Sequence, residues 1–294
     1  MRLARYEGKE GGARLGALTE EGILDLEAAA RSTGLSPETF EDASAFLSAG
    51  DVAVQLAERI VQQMPRTEAI PIADVKLRAP VPQPGKIIAV GLNYKDHSLE
   101  AGAKELPRSP IIFANFTTSI AGPEDPIVIP KGDPQVDYEA ELAVVIGKKG
   151  RAITTKNALE YVAGYMALND VSARAWQFGD KQWVRGKSPD TFCPTGPYLT
   201  TRGEVPDPHG LNIAARVNGT TLQDSNTSRM IFRIPELIEF ISASITLEPG
   251  DIIATGTPEG VGVFRNPPIF LKPGDIVEIE IEKLGILRNP VVAS

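Results

Sequence analysis

The chain has 294 residues, 42% hydrophobic and 23% charged, and carries a net charge of −8 at neutral pH. That balance fits one large globular domain, or a small unit joined to a larger one. The acidic surplus argues against a nucleic-acid binder, whose phosphate contacts need a basic face, and no apolar run approaches the ~20 residues of a membrane span.

The first segments, RLARYEG and ARLGAL, read as short strands around Gly11-Gly12, with GILDL as a third. A helix is predicted from Ser36, with serine as N-cap, Pro37 at the first helical position and Glu38 in the first turn. Phe40, Ala43, Phe46 and Leu47 would share its buried face. Gly50 and Asp51 end that run, and VAVQLAERIVQQM starts a second helix. Five prolines, from Pro65 to Pro84, mark a boundary. Residues 1–75 are therefore expected to form a small β-rich N-terminal domain with helices, and residues 76–294 the main domain.

From Lys86 onward short β segments dominate: KIIAV, PIIFAN, PIVIP, YEAELAVVIG, GYMALND, GPYLT, NIAARVNGTTLQ, DIIATG and DIVEIEIE. Asn218-Gly219 is a strong two-residue hairpin signal. The phrase PGDI occurs at Pro249–Ile252 and again at Pro273–Ile276, each time as a tight turn feeding an apolar strand. Only IPELIEFISAS and parts of TTKNALEYV read as helical. The predicted class is α+β, mainly β, with a barrel-like or layered-sheet core.

The residue inventory narrows the chemistry. The start, MRLARYEGKE, has no signal-peptide core, and a single cysteine, Cys193, excludes an internal disulfide, so a cytoplasmic location is expected. With one Cys and two His, His97 and His209, a Cys/His zinc site lacks ligands, and any metal must be held mainly by oxygen. RGKS at 185–188 resembles the tail of a phosphate-binding loop, but Lys181 stands where the leading glycine belongs. His209, in DPHG, reads as a turn residue with no partner, and Cys193 as a packing residue.

Two stretches remain. In VDYEAELAVVIGK, strand alternation puts Glu139, Glu141, Ala143 and Val145 on one face, with the two glutamate Cα atoms roughly 6.5–7 Å apart. Asp170 closes the apolar strand GYMALND. Three carboxylates without a soft ligand suit a hard cation, Mg²⁺, Mn²⁺ or Ca²⁺; the competing reading is that the glutamates face water. In GLNYKDHSLEAG, Asp96 is placed as N-cap of a short helix on which His97 and Glu100, three apart, share a face. A carboxylate beside an imidazole orients it and raises its basicity, as a general base requires; the bland alternative is an incidental surface pair. Lys187 is either a solvated lysine or a partner for the acids and a substrate anion.

Taken in order, VGLNYKDHSLEAG, VDYEAELAVVIGK, GYMALNDVSARAWQ, GKSPDTFCPTGP, IIATGTPEGVG and FLKPGDIVEIEIE resemble the fumarylacetoacetate hydrolase family across about Lys86 to Ile281. The resemblance implies a distorted β-roll catalytic domain, a smaller N-terminal domain and a homodimer. It implies Glu139, Glu141 and Asp170 as metal ligands, His97 and Glu100 as a water-activating dyad, Lys187 as a substrate or oxyanion contact, and Gln177 and Thr257 as substrate-site residues. Where the family often has an acid after S-A-R this chain has Ala175, which is expected to alter the support of Asp170. The expected activity is divalent-metal-dependent hydrolysis of a C–C bond in an acylpyruvate-type 1,3-diketo acid, the ion stabilising the enolate formed on cleavage. Oxaloacetate decarboxylation and isomerisation of an unsaturated dicarboxylate use the same site and stay open, as does a non-catalytic protein stabilised by its metal.

Overall fold

The computed structural model describes residues 1–8, 11–132 and 135–294. Among these, the larger sheet has 11 strands, and its central strand, Ala140–Ile146, is buried along its whole length. It lies between Val162–Asn169 and Ile252–Ala254, antiparallel to both. Ile252–Ala254 runs parallel to Ile87–Gly91, which pairs with Ile111–Asn115 at the sheet edge. On the other side, Val162–Asn169 pairs with Cys193–Thr201, and that strand with Arg2–Glu7. The N-terminal strands Arg2–Glu7, Ala13–Leu18 and Ile23–Asp25 thus extend the same sheet.

Alternation along the central strand distributes its side chains between two cores. Ala143 and Val145 pack with Ile87, Leu168 and Ile252 against the N-terminal helical residues Phe46, Leu47 and Ile60. Leu142, Val144 and Ile146 belong to the other core, with Ile213, Val277, Ile279 and Leu287 and with Leu237 and Ile241 of the Ile234–Ser242 helix. That second core is closed by a five-stranded sheet of Thr220–Asn226, Asn212–Val217, Ile276–Ile281, Gly285–Ala293 and Ile127–Ile129. A strand covered on both faces has no wet side, so its sequence reads as a nearly continuous apolar run. The class is α+β and mainly β, as expected.

Local predictions hold where turn chemistry is explicit. The two PGDI phrases form the same turn: Asp251 and Asp275 each accept the backbone N–H three residues earlier at 2.7 Å. Asn218 and Gly219, both at positive φ, make the predicted hairpin. The helix predicted from Ser36 differs. Pro37–Phe40 is a single 3-10 turn, and Asp42 caps the following Ala43–Ala49 helix through Ala45 N–H at 2.8 Å. Ser36 bonds the Glu38 carboxylate, so its hydroxyl caps no backbone N–H. TTKNALEYV holds only a 3-10 turn, Ala158–Tyr161, because Val162 is drawn into the sheet. Among the described residues no helix is long and apolar enough to cross a membrane.

His209 is not partnerless. Its Nδ1 lies 3.2 Å from the Asp207 carboxylate, and its Nε2 accepts the N–H of Ile234 at 3.1 Å, at the start of the Ile234–Ser242 helix. Burial lowers the pKa of this imidazole. Because the folded value lies below the unfolded one, the associated stability is complete above about pH 6.5 and is lost as pH falls through the lower folded value. Thermal melts below about pH 6.5 are expected to show an acid-side loss that His209→Gln flattens. Parallel losses in both proteins would assign the titration elsewhere.

Candidate active site

The single strand predicted for VDYEAELAVVI is two. Val136–Asp137 pairs with Ser172–Ala173, and the chain breaks at Tyr138 and Glu139 before entering the large sheet at Ala140. The alternation survives the break. Glu139 and Glu141 converge with Asp170, which follows the Val162–Asn169 strand, and one carboxylate oxygen of each lies within 4.8 Å of the others. Their exposures are 5%, 2% and 0%, so neither glutamate faces water.

Two buried cations meet this charge. Lys187, 1% exposed, donates from Nζ to Glu139 Oε2 at 2.6 Å and to Asp170 Oδ2 at 2.7 Å. Arg174 spans Asp137 and Glu139, donating from Nε to Asp137 Oδ1 at 2.6 Å and from its terminal nitrogen to Glu139 Oε1 at 2.7 Å. Asp170 Oδ1 accepts from Asn115 Nδ2 at 2.8 Å. Glu141 accepts only the Gly256 N–H, at 2.8 Å, among the described residues. Gly256 can make that contact because it sits at φ +98° with its absent Cβ 2.8 Å from the Asn93 Cβ, so any side chain there is excluded twice over.

The protonation pattern follows from this uneven support. Burial opposes ionisation of Glu139, but Lys187 and Arg174 outweigh it and hold that carboxyl below its ordinary value. Burial and the charges of Asp170 and Glu139 push Glu141 well above. Asp170 is also raised, by burial first, with Lys187 opposing. Burial works against the Lys187 ammonium, yet Asp170 and Glu139 raise it.

The predicted dyad forms. His97 and Glu100 lie on the Lys95–Glu100 helix, with Nδ1 3.2 Å from Glu100 Oε2. Glu100 is itself held by the Gly260 N–H at 3.0 and 3.1 Å. Asp96 is not the N-cap; Tyr94 takes that position, and Asp96 sits in the first turn paired with Arg229.

His97, Glu139, Glu141, Gln177, Lys187 and Thr257 all line one cavity of about 230 Å³. Gln177 and Lys187 come from two short helices, Arg174–Gly179 and Val184–Lys187, which meet closely at Gly186, where a Cβ would lie 2.8 Å from the Gln177 nitrogen. Gln177 Oε1 accepts from Arg174 at 2.9 Å, which leaves its amide N–H₂ as the free end. Thr257 Oγ1 accepts from Gln223 at 2.8 Å, leaving its hydroxyl proton to donate. Asp170 and Glu100 do not line the cavity, but each bonds a residue that does, Lys187 and His97. Ala175 is exposed, and Asp170 is supported by Asn115 and Lys187 instead.

Arg174, Asp137 and Asn115 were missed in the sequence. Asp137 extends the alternation of Glu139 and Glu141 one step back, and Arg174 lies four residues beyond Asp170, so both carried a usable signal. Asn115 carried none, since it joins Asp170 only through the sheet.

The donor set fits a divalent cation. Fully ionised, Asp137, Glu139, Glu141 and Asp170 would outnumber Arg174 and Lys187 by two charges, and burial and mutual repulsion already raise Glu141 and Asp170. An unpaired buried charge costs several kcal/mol, and all the candidate donors are hard oxygens, as Mg²⁺ or Mn²⁺ requires.

Residues 86–292 match the family model described as fumarylacetoacetate (FAA) hydrolase C-terminal. The chain is 46% identical over 298 residues to the oxaloacetate tautomerase FAHD2A, mitochondrial, of Bos taurus, covering 99% of this chain and 92% of that one. It is similar in structure to the maleylpyruvate hydrolase of Sphingobium sp. SYK-6 in complex with manganese(II) ion and pyruvate, with TM-score 0.81, 35% identity and full coverage of both chains. It is likewise similar to 5-carboxymethyl-2-hydroxymuconate delta-isomerase of Mycobacterium smegmatis, with TM-score 0.77, 36% identity and full coverage of both.

Proposed function

Because the chain belongs to the fumarylacetoacetate hydrolase family, we propose that it is a divalent-metal-dependent enzyme that interconverts the keto and enol forms of a short 2-oxo acid of the oxaloacetate type. The observation that carries this reading is a Glu100-held imidazole and three convergent buried carboxylates in one small cavity. Glu139, Glu141 and Asp170 would hold the ion, with Mg²⁺ or Mn²⁺ favoured over Ca²⁺. When bound, the ion supplies Lewis-acid stabilisation of charge developing on the 2-oxo and carboxylate oxygens.

The chain's own groups complete the reaction. Glu100 occupies Nδ1 of His97, so Nε2 is the ring nitrogen that exchanges a proton with the carbon beside the keto group. The C–H electron pair becomes the C=C bond, the carbonyl π pair moves onto the 2-oxo oxygen, and that oxygen takes up a proton from the protonated imidazole or solvent to give the enol; the reverse transfers restore the ketone. The free ends of Gln177 and Thr257 donate hydrogen bonds that orient the acid. Lys187 favours the ionised forms of Glu139 and Asp170 beside it. The buried position of these groups removes water that would weaken each interaction.

A second reading, hydrolysis of an acylpyruvate-type diketo acid, is favoured by the aromatic lining of Phe113, Phe178, Trp183 and Phe264, which suits an acyl substituent. There His97 would take its proton from water. A panel of oxaloacetate, acylpyruvates and hydroxymuconate-type diacids, with and without Mn²⁺, separates the readings. We expect metal-dependent acceleration of oxaloacetate enol–keto exchange; an enzyme inert toward it but active on acylpyruvates would replace the first reading with the second.

The homodimer is also a proposal. Its support is the edge strand Ile111–Asn115, where Ile111 and Ile112 are exposed, as is Phe116 directly after it, since native sheets cover such edges. Sedimentation as a single chain would refute it. The buried Cys193 suits a reducing compartment, and we infer no finer location.

A further inference from the structure

We propose that Trp183 is the specificity-determining wall of the cavity and confines the enzyme to short 2-oxo acids; this rests on the functional reading above. Trp183 is the N-cap of the Val184–Lys187 helix, and its carbonyl accepts the Lys187 N–H at 3.1 Å. The turn that sets Lys187 on the carboxylates therefore also sets the indole on the cavity wall.

The indole is braced from two sides. Phe113 meets it edge-on, with ring centroids 5.2 Å apart at 74°, and Phe113 in turn lies 5.6 Å from Lys187 Nζ. Behind it is Gly91, at the end of the Ile87–Gly91 strand, where an added Cβ would stand 2.4 Å from one indole carbon and 2.9 Å from the next. The ring thus occupies space that any other residue at position 91 would fill, and a packed sheet cannot yield to let it retreat. Phe178 and Phe264, the other phenyl rings on the cavity beyond Phe113, are 55% and 36% exposed, and Phe264 meets the His97 ring at 6.1 Å. One wall is backed by the sheet and the solvent side is more exposed. The cavity volume of about 230 Å³ falls below the range of roughly 300–1,000 Å³ typical for drug-sized ligands.

The test compares the Mn²⁺-loaded wild type with Trp183→Ala and Trp183→Phe. Calorimetric competition measures affinity for oxalate, oxaloacetate and the longer acids 2-oxoglutarate and 2-oxoadipate. Since a methylene in or out of a fitted pocket changes discrimination by tenfold or more, Trp183→Ala is expected to raise 2-oxoadipate affinity relative to oxalate by about tenfold. Trp183→Phe should fall between. An unchanged ratio in the variants, with normal oxalate binding, overturns the inference alone, and Trp183→Phe decides the matter should the alanine variant not fold. A wild type that binds none of these acids sinks the functional reading and this inference together.

Discussion

Glu141→Gln is expected to abolish divalent-cation binding and turnover while leaving the metal-free protein at least as stable as the wild type. The two effects have one cause. Glu141 is the carboxylate of the cluster with the least protein support, a single backbone N–H, and burial with two neighbouring acids already resists its ionisation. The amide keeps the volume and can still accept from Gly256, but removes the charge. Loss of partners that merely orient ligands costs 10–100-fold in metal affinity, so loss of a ligand itself should cost at least about 100-fold. Lys187→Met provides the contrast. It strips Glu139 and Asp170 of their shared counter-ion in a buried site, and breaking such a buried pair costs about 3–5 kcal/mol. Calorimetric titration with Mn²⁺ and melts of the metal-free proteins check both. A Glu141→Gln protein that keeps Mn²⁺ affinity within a few-fold would remove that residue from the metal site.

Much of this site could be read before the fold was known, and the reason is periodicity. A strand repeats every two residues, so Glu139 and Glu141 had to share a side, and a helix turn brings His97 to Glu100. Those relations are local and survive even the break at Tyr138 and Glu139, which the sequence did not show. What brings the two pairs together is not local. Asp170 reaches Glu139 because the Ala140–Ile146 and Val162–Asn169 strands are neighbours, with Ala140 opposite Asn169. Asn115 reaches Asp170 from an edge strand four positions away in the sheet. Capping failed for a related reason: Ser36 and Asp96 each had an acceptor suited to a backbone N–H, and each was recruited by a charged side chain, Glu38 and Arg229. Composition cannot forecast that competition, because Arg229 is distant in the chain.

His97→Ala is expected to lower turnover by about 10²–10⁴-fold, the usual contribution of a positioned general base, while changing Mn²⁺ affinity little. His97 lines the cavity but supplies no atom to the carboxylate group, so the cation site remains intact without it. Glu100→Gln should lower turnover less. It loses the charge that orients Nδ1 but keeps an acceptor for the Gly260 N–H, which preserves the placement of the helix end. Near-wild-type turnover in His97→Ala would remove the dyad from the mechanism. The variant also distinguishes the two proposed reactions. If the imidazole exchanges a proton with substrate carbon, enol–keto interconversion falls with His97 by that factor, because Lys187 is committed to Glu139 and Asp170 and is no substitute base. If it serves only to deprotonate water, His97→Ala should lose acylpyruvate hydrolysis yet leave tautomerisation unchanged, since the proton on carbon would then be handled by a group other than His97. Measuring both rates on one preparation of His97→Ala therefore decides whether the proton that His97 handles belongs to carbon or to water.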